Sequence, residues 1–298
     1  MQKTVCLLFA LICCPLLAEE PSSFSDDYGQ FRNHQTHLLS TETQALRKYH
    51  FVLVEGYMNE LIFHYFSHNK KALADSGIST SILAPPSSMS LTLSLPWLNS
   101  QFEDIHSRTK KPLIVIGHSF GGVRALATII KYPSLISTGV VARLVTVQSS
   151  VNGATTLDAS NGGSDLFKTI VSLLKFSKVS TAEIQKLILI AFVQLDEEQQ
   201  NLVSTAVYYF KASVEPENLG LLYRNSAINN QILVGPNDGL VATRDMTVPY
   251  FGSTIGSLHG DHTRFVNHRE GYAFTLALLR HLFRTLNCKE MIQPPAEP

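Results

Sequence analysis

The chain has 298 residues, 45% of them hydrophobic, enough to bury a large core in one large α/β domain or two small ones. Its 24 Lys and Arg balance 24 Asp and Glu, which excludes the basic footprint of a nucleic-acid binder. Only 16% of residues are charged, which fits a protein with a sizeable apolar surface or pocket.

Residues 1–18 carry a lone Lys3, an apolar run from Val5 to Ile12 and a small residue at Ala18. The pattern predicts a secretory signal peptide, too short to span a membrane. The alternatives are a buried N-terminal strand or helix, and a lipid anchor through Cys13 or Cys14. Ile12 is bulky where the cleavage site of such an anchor carries a small residue. Three of the four cysteines lie in this segment; without it only Cys288 remains. A lone cysteine forms no internal disulfide, so the core must hold by packing. Cys288 itself reads as a small buried or edge residue. Residues 19–50 are polar and predict an extended N-terminal arm with little regular structure, with His34 and His37 solvated.

Phe51–Val54 is an apolar, β-branched run that predicts a buried strand. Glu55-Gly56-Tyr57 turns the chain into a helix running to Gly77. Ser81–Ala84 is a shorter strand stopped by Pro85-Pro86, and Ser90–Thr109 is a helix. Leu113–Ile116 is the next buried strand, and Val123, Leu126, Ile129 and Ile130 beyond it fall at helical spacing. Between them stands Gly117-His118-Ser119-Phe120-Gly121-Gly122. This is G-x-S-x-G in strand–turn–helix context, the setting of a nucleophile elbow. The serine needs a sharp, strained turn, and a side chain at Gly117 or Gly121 would strike the crowded backbone. The turn holds the Ser119 hydroxyl at a helix N-terminus, where the dipole favours developing negative charge. Alone the pattern is weak; a glycine-rich turn without chemistry is its alternative.

Ala142–Val147 is a further strand, followed by Gln148-Ser149-Ser150. No strand is predicted over 155–220. DLFKTIVSLLKF at 165–176, EIQKLILIAFVQL at 183–195 and NLVSTAVYYFKA at 201–212 read as three helical stretches. Ser180 and Glu183 form a capping box at the second. Such an insertion reads as a cap over an apolar pocket, or as helices that simply pack on the sheet. The sheet resumes at Gln231–Gly235, a weak strand spans Gly252–Leu258, and a helix starts at Glu270.

A serine hydroxyl needs a base, and the base needs a carboxylate to orient it. Asp238 follows a predicted strand in the turn Asn237-Asp238-Gly239, where a sheet-top carboxylate belongs, although a plain tight turn has the same composition. His259 and His262 share one loop and are not separable by position. His118, His268 and His281 read as support, surface or packing residues. The backbone N–H groups of Tyr57 and Phe120 are the candidate oxyanion donors, Tyr57 against the alternative of an ordinary βα turn.

Gly56-Tyr57, the Gly117–Gly122 elbow, Asn237-Asp238-Gly239-Leu240-Val241 and His262-x-x-x-Val266 together resemble the α/β-hydrolase lipases and esterases, above all the bacterial triacylglycerol lipases. The strand Leu144–Val147 with Ser149, Ser150 and Gly153 is similar to a further segment of that family. The resemblance implies a mostly parallel α/β sheet flanked by helices over 51–285, with a helical cap at about 155–220 and a tail at 286–298. It implies Ser119 as nucleophile, Asp238 as acid and His262, rather than His259, as base. Two departures stand out. Glu55 precedes Gly56 where the family has His, and Arg264 stands where the family has a calcium-binding carboxylate. No calcium of that type, no zinc spacing and no cofactor is therefore expected. The expected function is secreted or periplasmic hydrolysis of carboxylic esters, acyl-lipid or otherwise hydrophobic, through an acyl-enzyme. The cap would be the contact to a lipid or membrane surface. The alternatives are an acyltransferase using the same three residues, and a non-catalytic binding protein of the same fold.

Overall fold

The computed structural model describes residues 23–34, 37–57, 59–61, 64–153, 155, 180–215 and 235–290. Among the described residues six strands form one parallel sheet: β1 (His50–Val54), β2 (Thr80–Leu83), β3 (Leu113–His118), β4 (Val141–Val147), β5 (Val207–Ser213) and β6 (Ser253–His259). Their spatial order is β2-β1-β3-β4-β5-β6. In β1 and β3 every residue is buried, because both faces of the sheet are covered. Val52, Val54, Leu113 and Val115 face one apolar cluster, and Phe51, Leu53, Ile114 and Ile116 the other.

The first face is covered by α4 (Leu91–Thr109) and α5 (Phe120–Lys131). The second is covered by α1 (Phe24–His34), α2 (Ser40–Leu46), α3 (Ser67–Asp75) and the last helix, α10 (Glu270–Glu290). The short α6 (Ser134–Ser137) precedes β4.

The N-terminal arm is a correction: 24–34 and 40–46 are helical. Phe24, Tyr28 and Phe31 recur at helical spacing and are buried in the second cluster. Ser23 and Asp26 cap the first turn reciprocally, the serine hydroxyl accepting the Asp26 N–H at 3.2 Å and the carboxylate accepting the Ser23 N–H at 3.1 Å. Asp27, fully buried, takes Arg284 at 2.7 Å and Arg280 at 3.4 Å, while Arg280 also meets Glu42 at 3.0 Å. The two N-terminal helices are thereby tied to α10.

A second correction concerns 201–212. The helix α9 (Glu197–Ala206) ends at Ala206 and Val207–Ser213 is a strand beside β4. Val207, Tyr208, Tyr209 and Phe210 are all buried, as a run of β-branched and aromatic residues covered on both sides should be. The second predicted helix is present as α7 (Thr181–Gln185), a π-helical turn (Lys186–Ile190) and α8 (Ala191–Val193). The Ser180 hydroxyl caps it from the Glu183 N–H at 3.2 Å. Ile184, Ile188 and Phe192 are buried in the cluster that contains α5, so this part of the insertion packs on the sheet's helix layer. The stretch 165–176, the strand predicted at 231–234 and the segments 1–18 and 291–298 lie outside the described residues. The helix predicted over 61–77 begins only at Ser67, because His64 and Phe66 take left-handed backbone angles, φ 64° and 57°. Between them, the Tyr65 hydroxyl meets the Gly56 N–H at 3.0 Å.

Candidate active site

The chain leaves β1 for the edge strand β2, then returns across β1 to lay down β3. The direction of strand addition reverses between β1 and β3, and ligands of such sheets bind in the crevice outside the strands' carboxyl ends there. Ser119 follows β3 directly and Glu55-Gly56-Tyr57 follows β1.

Ser119 has φ 54° and ψ −129°, a strained conformation for a residue with a side chain. The glycines around it fit as expected. A Cβ on Gly117 would lie 2.5 Å from the Gly122 Cα, and one on Gly121 would overlap the carbonyl oxygens of Val54 and Glu55. Phe120 opens α5, so its N–H has no carbonyl one helical turn earlier to bond.

The structure brings Ser119, His262 and Asp238 together. His262 Nε2 lies 2.8 Å from Ser119 Oγ, and His262 Nδ1 lies 2.7 Å from Asp238 Oδ2. A carboxylate accepts, so Nδ1 carries the proton and Nε2 offers its lone pair to the serine hydroxyl. Asp238 is fully buried and His262 nearly so. The second carboxylate oxygen, Oδ1, accepts the N–H groups of Leu240 at 3.0 Å and Val241 at 2.8 Å. Main chain joins Asp238 and His262 as well, the His262 N–H donating to the Asp238 carbonyl at 2.9 Å. His259, the last residue of β6, is exposed, and its Nε2 accepts the Glu215 N–H at 3.4 Å instead.

The Tyr57 and Phe120 rings meet edge to face with centroids 6.1 Å apart, so the two candidate oxyanion residues lie side by side. The ring of Phe120 also covers the guanidinium of Arg124 at 4.7 Å. Arg124 is wholly buried on α5 and donates to the carbonyls of Pro85, Pro86 and Met89. Burial depresses its guanidinium to about 10. Glu55, beside the Gly56-Tyr57 turn, has its carboxyl pushed up to about 7, chiefly by burial and further by the charge of Glu60, against a bond from Asn59. Burial would raise Glu60 too, but two hydrogen bonds from Ser87 outweigh it and hold Glu60 low.

Sequence reasoning missed Gln148. It follows β4 with φ 50° and is fully buried. Its side-chain amide donates to Asp238 Oδ2 and to the Asp261 carbonyl, both at 2.9 Å. The partners lie 90 and 113 residues away, beyond any local signal. Thus two non-glycine residues with positive φ, Ser119 and Gln148, end adjacent strands at the site. Arg264 pairs with Glu270 at 3.2 Å. Among the described residues no cluster of three or more His, Cys, Asp or Glu is arranged to hold a metal. None of their helices is long and apolar enough to cross a membrane.

Among solved structures, the chain is similar to the metagenomic carboxyl esterase MGS0156, with a TM-score of 0.64, 15% identity and coverage of 81% of this chain and 76% of that one. It is also similar to the Bacillus licheniformis lipase BlEst2 in its mature form, with a TM-score of 0.56, 14% identity and coverage of 79% and 90%. The chain has the α/β-hydrolase fold. A third similar structure is the phospholipase PlaB from Legionella pneumophila, with a TM-score of 0.50, 12% identity and coverage of 67% of this chain and 45% of that one. No family model and no curated protein matches the sequence.

Proposed function

We propose that this α/β-hydrolase chain is a serine hydrolase of carboxylic esters with hydrophobic acyl groups, acyl lipids among them. The observation that carries the reading is the unbroken contact from Ser119 Oγ through the His262 ring to Asp238, 2.8 Å and 2.7 Å, at a strained strand–helix turn. The names of the similar structures, esterase, lipase and phospholipase, agree with it.

In the reaction, Ser119 Oγ attacks the ester carbonyl as His262 Nε2 takes its proton. Asp238 holds the Nδ1–H and stabilises the imidazolium. The N–H groups of Tyr57 and Phe120 receive the oxyanion, aided by the N-terminus of α5. His262 then returns the proton to the leaving alcohol, and an acyl-enzyme remains on Ser119. Water, deprotonated by His262, releases the acid. We read residues 1–18 as the signal that directs the protein to secretion, so purified extracellular or periplasmic material should begin after Ala18 on N-terminal sequencing.

The test is a fluorophosphonate probe followed by peptide mapping. The probe should label Ser119, and Ser119→Ala should lose both labelling and ester hydrolysis by several orders of magnitude. Labelling elsewhere, or a Ser119→Ala enzyme retaining more than about a tenth of activity against the expected loss, refutes the assignment. A panel of p-nitrophenyl esters from acetate to palmitate then reads acyl-chain preference.

A further inference from the structure

The residue before the serine, His118, is the last of β3 and only 2% exposed. Its two ring nitrogens are both engaged. Nε2 lies 2.7 Å from the His262 carbonyl oxygen, and Nδ1 meets the Tyr65 hydroxyl. A carbonyl only accepts, so Nε2 carries a proton. Burial, reinforced by the neighbouring His262, depresses the ring's proton affinity well below the ordinary range, so it is neutral and Nδ1 is an acceptor. The Tyr65 hydroxyl must then donate to Nδ1, which leaves its oxygen to accept the Gly56 N–H at 3.0 Å. The relay Gly56 N–H, Tyr65 O–H, His118 Nε2–H, His262 C=O therefore has one direction. It joins the turn that carries Tyr57 to the residue offered as base, beneath Ser119.

We propose that His118, with Tyr65, is a positioning residue that sets the oxyanion turn and the His262 backbone in register. The inference rests on the site reading above. The His118 ring also lies against the His262 ring, centroids 4.8 Å apart, so any tilt of one is felt by the other. A displacement of about 1 Å at a reacting group can cost about 10²-fold in rate.

Amide side chains separate the two contacts. A glutamine amide nitrogen falls where Nε2 lies, and an asparagine amide falls where Nδ1 lies. In the full chain, His118→Gln keeps the grip on the His262 carbonyl, whereas His118→Asn keeps only the Tyr65 side. The His118→Asn enzyme should lose about 10²-fold in kcat with KM moved less than about twofold, and His118→Gln should keep kcat within about threefold. Tyr65→Phe should fall between them. The low-field proton resonance of His262 Nδ1–H should persist in His118→Gln and broaden in His118→Asn. Equal kcat in the Asn and Gln variants overturns the inference. If neither variant folds, the ring-nitrogen NMR of wild-type His118 decides: an Nε2–H tautomer supports it and an Nδ1–H tautomer overturns it. Wild-type protein that the phosphonate does not label at Ser119 removes the site reading and this inference together. Labelled wild type with equal variants removes this inference alone.

Discussion

At the scale of single residues, the arrangement separates two histidines that sequence left in one loop. His262 spans Ser119 and Asp238, while His259 ends β6 with its ring on the Glu215 amide. Replacing His262 with Ala should be as damaging as Ser119→Ala, and the double variant should lose little more, because residues acting as a unit are not additive. His259→Ala should cost less than about threefold on the same kinetic scale. Steady-state kinetics of the four proteins checks this, and reversed effects of the two histidines would reassign the base. Glu55 gives a second prediction with a defined sign. Burial pushes its carboxyl up to about 7 in the folded chain, from about 4.5 for an ordinary glutamate, so the folded state favours the protonated form. Its contribution to stability is fully present below about 4.5 and is lost as pH rises through about 7. Glu55→Gln should therefore melt above wild type at pH 8, with the gap closing by pH 4.5. Melting curves across that range test it, and a gap that does not vary with pH would place the burial cost elsewhere.

At the scale of elements, legibility followed local patterning. The elbow was readable because β3 opens with the apolar run Leu113–Ile116, Val123, Leu126, Ile129 and Ile130 of α5 fall at helical spacing, and glycines stand where no Cβ fits. β5 was not, because α9 runs into Val207 with no Gly or Pro between them and the strand, apolar on both faces, lacks alternation. The N-terminal helices were hidden in a polar segment, although Phe24, Tyr28 and Phe31 at spacings of four and three, with Ser23 and Asp26 as a cap, were signal enough. Their attachment depends on charges far away in sequence, which no local window contains. Asp27 is fully buried and its partners Arg280 and Arg284 are partly buried, so removing it takes a charge-assisted contact from each, while Arg280 keeps Glu42. Asp27→Ala should cost about 2 kcal/mol, the order of a lost charge-assisted hydrogen bond, read by urea denaturation. A cost under about 0.5 kcal/mol, as at an exposed pair, would mean that α1 is held by its aromatic residues alone.

At the scale of the whole molecule, a parallel sheet gathers the ends of β1, β3, β4 and β6 on one side; Tyr57, Ser119, Gln148 and His262 come from the turns just past them, and Asp238 joins them from the segment before β6. That much was foreseeable from strands alternating with helices; the grip of Gln148 and His118 on two successive carbonyls, Asp261 and His262, was not. The same sheet order carries a consequence for biosynthesis. From β3 onward each strand is laid beside its predecessor, in the order in which it leaves the ribosome. The elbow is thus made early, while its partner at 262 arrives some 140 residues later, 143 by position. On the proposed function, a growing chain would hold Ser119 without its base, unreactive toward esters until β6 is in place. A chain ending at residue 252 should remain unlabelled by the phosphonate, and adding a peptide of 253–290 in trans should restore labelling only as β6 and α10 dock.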